Sequence, residues 1–143
     1  MKGRFIRCFG SKGDNNDQFN TPWDVCIEAG IANRLLITDR HNNRVSAWSM
    51  DGSQVIETVA VGERPTGICV DPRNTHHIVV ALGSHEVKVF DSKIKNKNEW
   101  QLIQTIGSKG KRPAQFNYPY GVCIDDRGVL AVADRWNNRV QLF

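Results

Sequence analysis

The chain has 143 residues, of which 40% are hydrophobic and 24% charged, the composition of one soluble globular domain. It holds no apolar run long enough for a membrane-spanning helix, and its first residues, Met1-Lys2-Gly3-Arg4-Phe5-Ile6-Arg7, lack the apolar stretch of a signal peptide. Nineteen basic against fifteen acidic residues give +4 and a pI near 9.0, a balance that permits a nucleic-acid partner without requiring one.

In chain order the apolar residues fall into short β-branched runs bounded by turn residues, and no segment carries a helical period. A leading strand is expected at 4–9. Four strands follow at 23–28, 34–39, 44–49 and 55–61, and four more at 66–71, 77–82, 86–91 and 100–106. Three close the chain at 121–125, 129–134 and 139–143. The lysine- and asparagine-rich segment 92–98 reads as a solvated loop between strands. Asp51-Gly52 and Arg127-Gly128 suit tight turns, and Asn42-Asn43 and Asn137-Asn138 suit left-handed backbone.

The chain also repeats. Phe9-Gly10-Ser11-Lys12-Gly13 and Gln18-Phe19-Asn20-Thr21-Pro22-Trp23-Asp24-Val25-Cys26-Ile27 return as Ile106-Gly107-Ser108-Lys109-Gly110 and Gln115-Phe116-Asn117-Tyr118-Pro119-Tyr120-Gly121-Val122-Cys123-Ile124. Asp39-Arg40-His41-Asn42-Asn43-Arg44-Val45 returns as Asp134-Arg135-Trp136-Asn137-Asn138-Arg139-Val140. A weaker copy, Arg64-Pro65-Thr66-Gly67-Ile68-Cys69-Val70-Asp71, lies between them. Three units, at approximately 18–61, 62–107 and 111–143 of a single 1–143 domain, have the period of about 40–50 residues of propeller blades. The expected fold is all-β, with blades of four antiparallel strands.

Cys26, Cys69 and Cys123 occupy one position in the three units, and their spacing is a repeat period rather than that of a zinc knuckle. They read as buried free thiols in a reducing compartment, and Cys8 has no evident mate. No metal and no cofactor are expected. His76 and His77 are adjacent, so in a strand they face opposite sides and cannot chelate one ion together.

Pro-x-Gly-Val, a strand ending in Val-Ala-Asp, and Asn-x-Arg-Val together resemble the NHL repeat. The third unit fits best, from Tyr118-Pro119-Tyr120-Gly121-Val122 through Ala133-Asp134-Arg135-Trp136-Asn137-Asn138-Arg139-Val140-Gln141-Leu142-Phe143. The first departs with Asp24 where glycine is usual and Thr38 where alanine is usual. The second lacks both the Asp and the Asn-x-Arg signature. The resemblance implies half of a six-bladed propeller similar to the C-terminal propeller of tripartite-motif proteins. In that family it lies beyond RING, B-box and coiled-coil segments, engages RNA through a basic top face, and recruits targets for repression or ubiquitination.

Asp39 with Arg44, and Asp134 with Arg139, are placed to pair across a tight turn and read as structural. The loop entering each inner strand and the loop joining the second and third strands share one face of a blade. That face is expected to gather Trp23, Arg40, His41 and Asn42 from the first unit. It also takes Arg64, Thr66, Ser84 and His85 from the second, and Tyr118, Tyr120, Arg135, Trp136 and Asn137 from the third. Rings beside arginines and amides suit single-stranded nucleic acid, because bases stack on rings while guanidiniums take phosphates. Trp23, Tyr118 and Tyr120 could equally plug the gap between blades.

No nucleophile elbow, phosphate loop or His-Glu-x-x-His occurs, and no RING-type cluster is present. The expected function is recognition of RNA, protein or both, in post-transcriptional regulation or ubiquitin-ligase targeting in the cytoplasm, not catalysis. The alternatives are a protein scaffold that does not bind RNA and a propeller enzyme of lyase type. A leading strand, two full blades and a blade of three make three blades' worth of strands, fewer than closes a ring. Either the chain is part of a longer propeller, or two copies form a homodimer in which each lends residues 4–9 to the other's last blade.

Overall fold

In the computed structural model, residues 3–29, 33–96 and 99–143 are described. Among the described residues eleven strands form three antiparallel sheets of consecutive strands. Blade one contains β1 (Pro22–Glu28), β2 (Arg34–Asp39), β3 (Arg44–Ser49) and β4 (Val55–Ala60). Blade two contains β5 (Pro65–Asp71), β6 (Asn74–Leu82), β7 (Glu86–Asn96) and β8 (Glu99–Ile106). Blade three contains β9 (Pro119–Ile124), β10 (Leu130–Asp134) and β11 (Arg139–Leu142). The inner strands β1, β5 and β9 lie side by side, with β5 between the other two.

Turn chemistry places the hairpins. Asn43 and Asn138 adopt φ of 56° and 53°, closing the short 3-10 turns at Arg40–Asn42 and Arg135–Asn137. Each proline opens an inner strand opposite the last residue of its neighbour, where its missing N–H costs no ladder bond: Pro22 faces Asp39, Pro65 faces Leu82 and Pro119 faces Asp134.

Two expected elements differ. Residues 4–9 form no strand, because a strand has no internal hydrogen bonds and this segment finds no edge to pair with among the described residues. The expected loop at 92–98 is strand as far as Asn96: β7 continues to that residue, and Asp91 pairs with Gln101 and Asn96 with Glu99. Ser92 is buried there, its hydroxyl donating to Glu28 Oε1 at 3.0 Å, so the backbone is held in register despite its polar sequence. Residues 97–98 lie outside the described residues.

The core sits between blades. At the first junction Leu36, Val45, Ala47 and Val59 of blade one meet Ile68, Ile78, Val80, Leu82, Phe90 and Trp100 of blade two. At the second, Val79, Ala81 and Val87 meet Phe116, Leu130 and Val132. Each valine, leucine or isoleucine among them contributes about 1.5–3 kcal/mol on burial. The first junction also holds charge. Arg34 is buried and hydrogen-bonds both Glu28 and Glu57, while Trp100 Nε1 donates to Glu57 at 3.2 Å. Burial opposes charge on Arg34, but its bonds to Glu28 and Glu57 prevail and hold its pKa above the ordinary value.

The cysteines follow the same geometry. Cys26 and Cys69 are half-buried, each covered by the next blade, and burial pushes both thiols up to about 12. Cys123 corrects the expectation of three buried thiols. It is exposed, because no further blade of this chain covers it.

Candidate functional site

The signature residues build a lock beneath the face. Asp39 is fully buried; its Oδ1 accepts the Asn20 backbone N–H at 2.7 Å, and its Oδ2 accepts Asn42 Nδ2 at 2.7 Å and Arg44 Nε at 2.9 Å. Arg44 then donates to the carbonyls of Asp14, Asn15 and Gln18. Blade three repeats the arrangement around Asp134, with Asn117, Asn137 and Arg139, and Arg139 donates to the carbonyls of Lys111, Arg112 and Gln115. Burial of Asp134 disfavours its charge, but these donors prevail and hold the carboxyl below the usual range.

That lock engages the N–H donors of two residues expected on the face. Asn42 also donates to the Gly13 carbonyl at 3.0 Å and Asn137 to the Gly110 carbonyl at 2.8 Å, so the Nδ2 donors of both hold the scaffold. Thr66 is fully buried, its hydroxyl 2.8 Å from the Pro119 carbonyl, and it offers nothing to the face. Ser84 Oγ donates to Glu86.

Arg64 and Tyr118 were expected on the face, but the backbone of the residue before each proline was not, and Thr21 was not singled out at all. Thr21, Arg64 and Tyr118 all adopt left-handed backbone, with φ of 62°, 51° and 54°. The strained conformation recurs at equivalent positions, so it belongs to the repeat. The warning sign was a proline after a residue that must turn sharply into a strand.

Above the lock, aromatic and basic side chains form two rows. In one, Arg40 lies 4.5 Å over the Trp23 ring, Trp23 meets Tyr120 edge-on at 5.4 Å, and Arg135 lies 4.4 Å over the Tyr120 ring while donating to its hydroxyl. In the other, His85 meets Tyr118 edge-on at 4.9 Å, Tyr118 and Trp136 are tilted at 4.3 Å, and Arg64 reaches the Tyr118 hydroxyl at 3.3 Å. Trp23 and Trp136 are exposed and the two tyrosines half-buried. His41 is exposed, its Nδ1 3.1 Å from the Thr21 hydroxyl.

Three guanidiniums of this face are not neutralised by an ion pair. Among the described residues Arg40, Arg64 and Arg135 have no carboxylate partner, whereas Arg34, Arg44, Arg73, Arg127 and Arg139 all do. Arg40 Nε is buried without a hydrogen-bond partner. His85 stands where the other blades have Asn43 and Asn138, with the same left-handed backbone at φ of 71°. Asn43 Oδ1 accepts the backbone N–H of the residue before the next proline, Arg64, at 2.8 Å. The imidazole Nδ1 likewise accepts the Tyr118 backbone N–H at 3.1 Å. Burial, with help from Lys109 and against Asp134, holds its pKa below the ordinary value. Among the described residues no group of three or more metal-ligating side chains gathers.

Comparison with known proteins bears on the repeat and on the fold. Residues 116–143 match the NHL repeat family model. The chain is 49% identical over 41 residues to Protein lin-41 of Caenorhabditis elegans, covering 29% of this chain and 4% of that protein. It is 46% identical over 39 residues to E3 ubiquitin-protein ligase TRIM71 of Xenopus tropicalis, covering 27% and 5%. Against peptidyl-glycine alpha-amidating monooxygenase B of Xenopus laevis it is 35% identical over 81 residues, covering 56% and 9%. The chain thus spans a small part of the relatives it matches. Among solved structures, hydrazine synthase of Kuenenia stuttgartiensis superposes with a TM-score of 0.60 at 18% identity, covering 98% of this chain and 38% of that one. The WD40 β-propeller domain of Doa1 gives 0.58 at 14%, covering 88% and 42%. Residues 116–143 are thus an NHL repeat, carried on blades of the propeller fold.

Proposed function

We propose that the face bearing Trp23, Arg40, Arg64, Tyr118, Tyr120, Arg135 and Trp136 is a recognition surface for single-stranded RNA. One observation carries the reading: three guanidiniums without carboxylate partners stand among exposed and half-exposed rings, two of them stacked on those rings. A stacked guanidinium is held in place yet keeps N–H donors for phosphate, and a base adds to an exposed ring for about 1–3 kcal/mol. His41, at the rim, is a further donor. Free thiols suit a reducing compartment, and we place the chain in the cytoplasm. Within a ligase such a module would select targets, with ubiquitin transfer carried out elsewhere.

Protein recognition is the second reading, favoured by the rings packing on one another as a ready-made anchor of Trp, Tyr and Arg. Fluorescence anisotropy with a pool of single-stranded RNA separates the two. RNA binding weakens as salt rises, with a log–log slope of about −0.7 for each phosphate held. Absence of RNA binding at low salt overturns the first reading.

A further inference from the structure

The turn between the second and third strands of each blade ends on one residue in left-handed backbone: Asn43, His85 and Asn138, with φ of 56°, 71° and 53°. The first two reach into the following blade. Asn43 Oδ1 accepts the Arg64 backbone N–H at 2.8 Å, and His85 Nδ1 accepts that of Tyr118 at 3.1 Å. Both bonds therefore end on the residue before a proline, itself left-handed at φ of 51° or 54°. Neither arginine nor tyrosine favours that backbone, and an acceptor on the neighbouring blade satisfies its N–H and holds it there.

What is held is part of the face. The Tyr118 ring packs 4.3 Å from Trp136 and meets the His85 ring edge-on at 4.9 Å, and Arg64 reaches the Tyr118 hydroxyl at 3.3 Å. Asparagine Oδ1 and histidine Nδ1 stand the same number of bonds from the backbone, so the two side chains serve one geometry. They differ in a single respect. An amide oxygen accepts at every pH, whereas Nδ1 accepts only while the imidazole is neutral, and protonation sets two N–H donors against each other.

The charged groups around His85 come from three directions. Lys109, in the segment after β8, opposes a proton on the ring, and so does burial. Asp134, at the end of β10, favours one, but its carboxylate already accepts from Asn117, Asn137 and Arg139. On the turn itself, Glu86 is engaged by Ser84 Oγ and Lys88. Arg64, across the junction, is directed at the Tyr118 hydroxyl. Both neighbouring carboxylates are thus engaged elsewhere, and the neutral ring keeps its bond to Tyr118.

We infer that His85 is a positioning residue of the recognition face, a latch that holds Tyr118 against Trp136 while the imidazole is neutral and releases it when the imidazole takes a proton. Its effect on binding rests on the reading of that face as a surface for single-stranded RNA. Release withdraws one ring on which a base would stack, so affinity falls as His85 is protonated. Added positive charge alone would strengthen binding to a polyanion, which gives the test its sign.

Parallel pH titrations of the wild type and His85→Asn test it, with NMR on the free protein and fluorescence anisotropy on a pool of single-stranded RNA. In the wild type the Tyr118 amide and the Trp136 indole N–H should move together with the His85 ring carbons. Across that range its RNA dissociation constant should rise about fivefold or more relative to the variant, the stacking of one base. His85→Asn keeps His41, His76 and His77 and carries the residue that the other blades use, so its Tyr118 signal should not follow this titration. His85→Gly suits left-handed backbone but offers no acceptor, and should show the released Tyr118 signal at every pH. If His85→Asn does not fold, the wild-type profile read against His85→Gly decides. A Tyr118 signal that ignores the His85 titration, RNA binding that strengthens as His85 is protonated, or a wild-type profile kept by His85→Asn overturns the proposal. If the RNA pool binds at no pH, the recognition reading falls, and the NMR titration alone decides whether His85 holds Tyr118.

Discussion

The Arg135 guanidinium lies 4.4 Å over the Tyr120 ring and donates to that tyrosine's hydroxyl, so a surface arginine is held in place by a ring rather than by a carboxylate. Such a contact at an exposed site is worth about 0.5–1 kcal/mol. Arg135→Ala should therefore lower stability by about 1 kcal/mol or less in urea unfolding. Its effect on RNA binding should be larger, reducing the salt slope by about one unit if the guanidinium holds a phosphate. A large loss of stability with an unchanged slope would make Arg135 a structural residue.

Removing Arg34 should do the opposite. The side chain is buried between Glu28 and Glu57, and Arg34→Ala leaves two buried carboxylates facing each other. Breaking a buried pair in this way costs about 3–5 kcal/mol. Replacing Glu28, Arg34 and Glu57 together with apolar residues of similar volume should restore most of that stability. Equal destabilisation by the single and triple variants would contradict the argument.

His85 gives a pH dependence. Its folded pKa lies below the ordinary value of 6.5, so protons bind the unfolded chain more readily. Its contribution to stability is complete above 6.5 and is lost as pH falls through the depressed folded value. Protonation also takes away the Nδ1 lone pair that accepts the Tyr118 N–H. Following the His85 ring carbons by NMR should give a midpoint below 6.5, with the Tyr118 amide shifting in the same range. A midpoint at or above 6.5 would remove the prediction.

The thiols should divide by blade junction. Cys8 and Cys123 should label rapidly, being exposed, and Cys26 and Cys69 slowly, being half-buried with thiol pKa values near 12. Mass spectrometry of timed aliquots reads the order. Uniform labelling of all four would contradict the packing at both junctions.

Strand positions were legible in the sequence because local chemistry fixes them. Asn43 and Asn138 take the left-handed turns their residue type favours, and Pro22, Pro65 and Pro119 stand where a strand can do without an N–H. The Asp39–Arg44 and Asp134–Arg139 pairs were legible for the same reason, since each spans a single tight turn. Asn42 and Asn137 were placed on the right turns but assigned to the ligand. Their partners, the carbonyls of Gly13 and Gly110, lie on loops far back in the chain.

The sequence by itself determined the repeat, the hairpins and the residues available to the face, because these depend on contacts within one blade. Only the tertiary structure decided which side chains meet across blades. Trp23 finds Tyr120, Arg34 finds Glu57 and Trp100 covers them, through inner strands that pack side by side and side chains that cross the junction. Cys26 and Cys123 show the division most sharply. They hold the same place in the repeat, yet one is half-buried and the other exposed, because burial is supplied by the next blade and not by the residue's own strand.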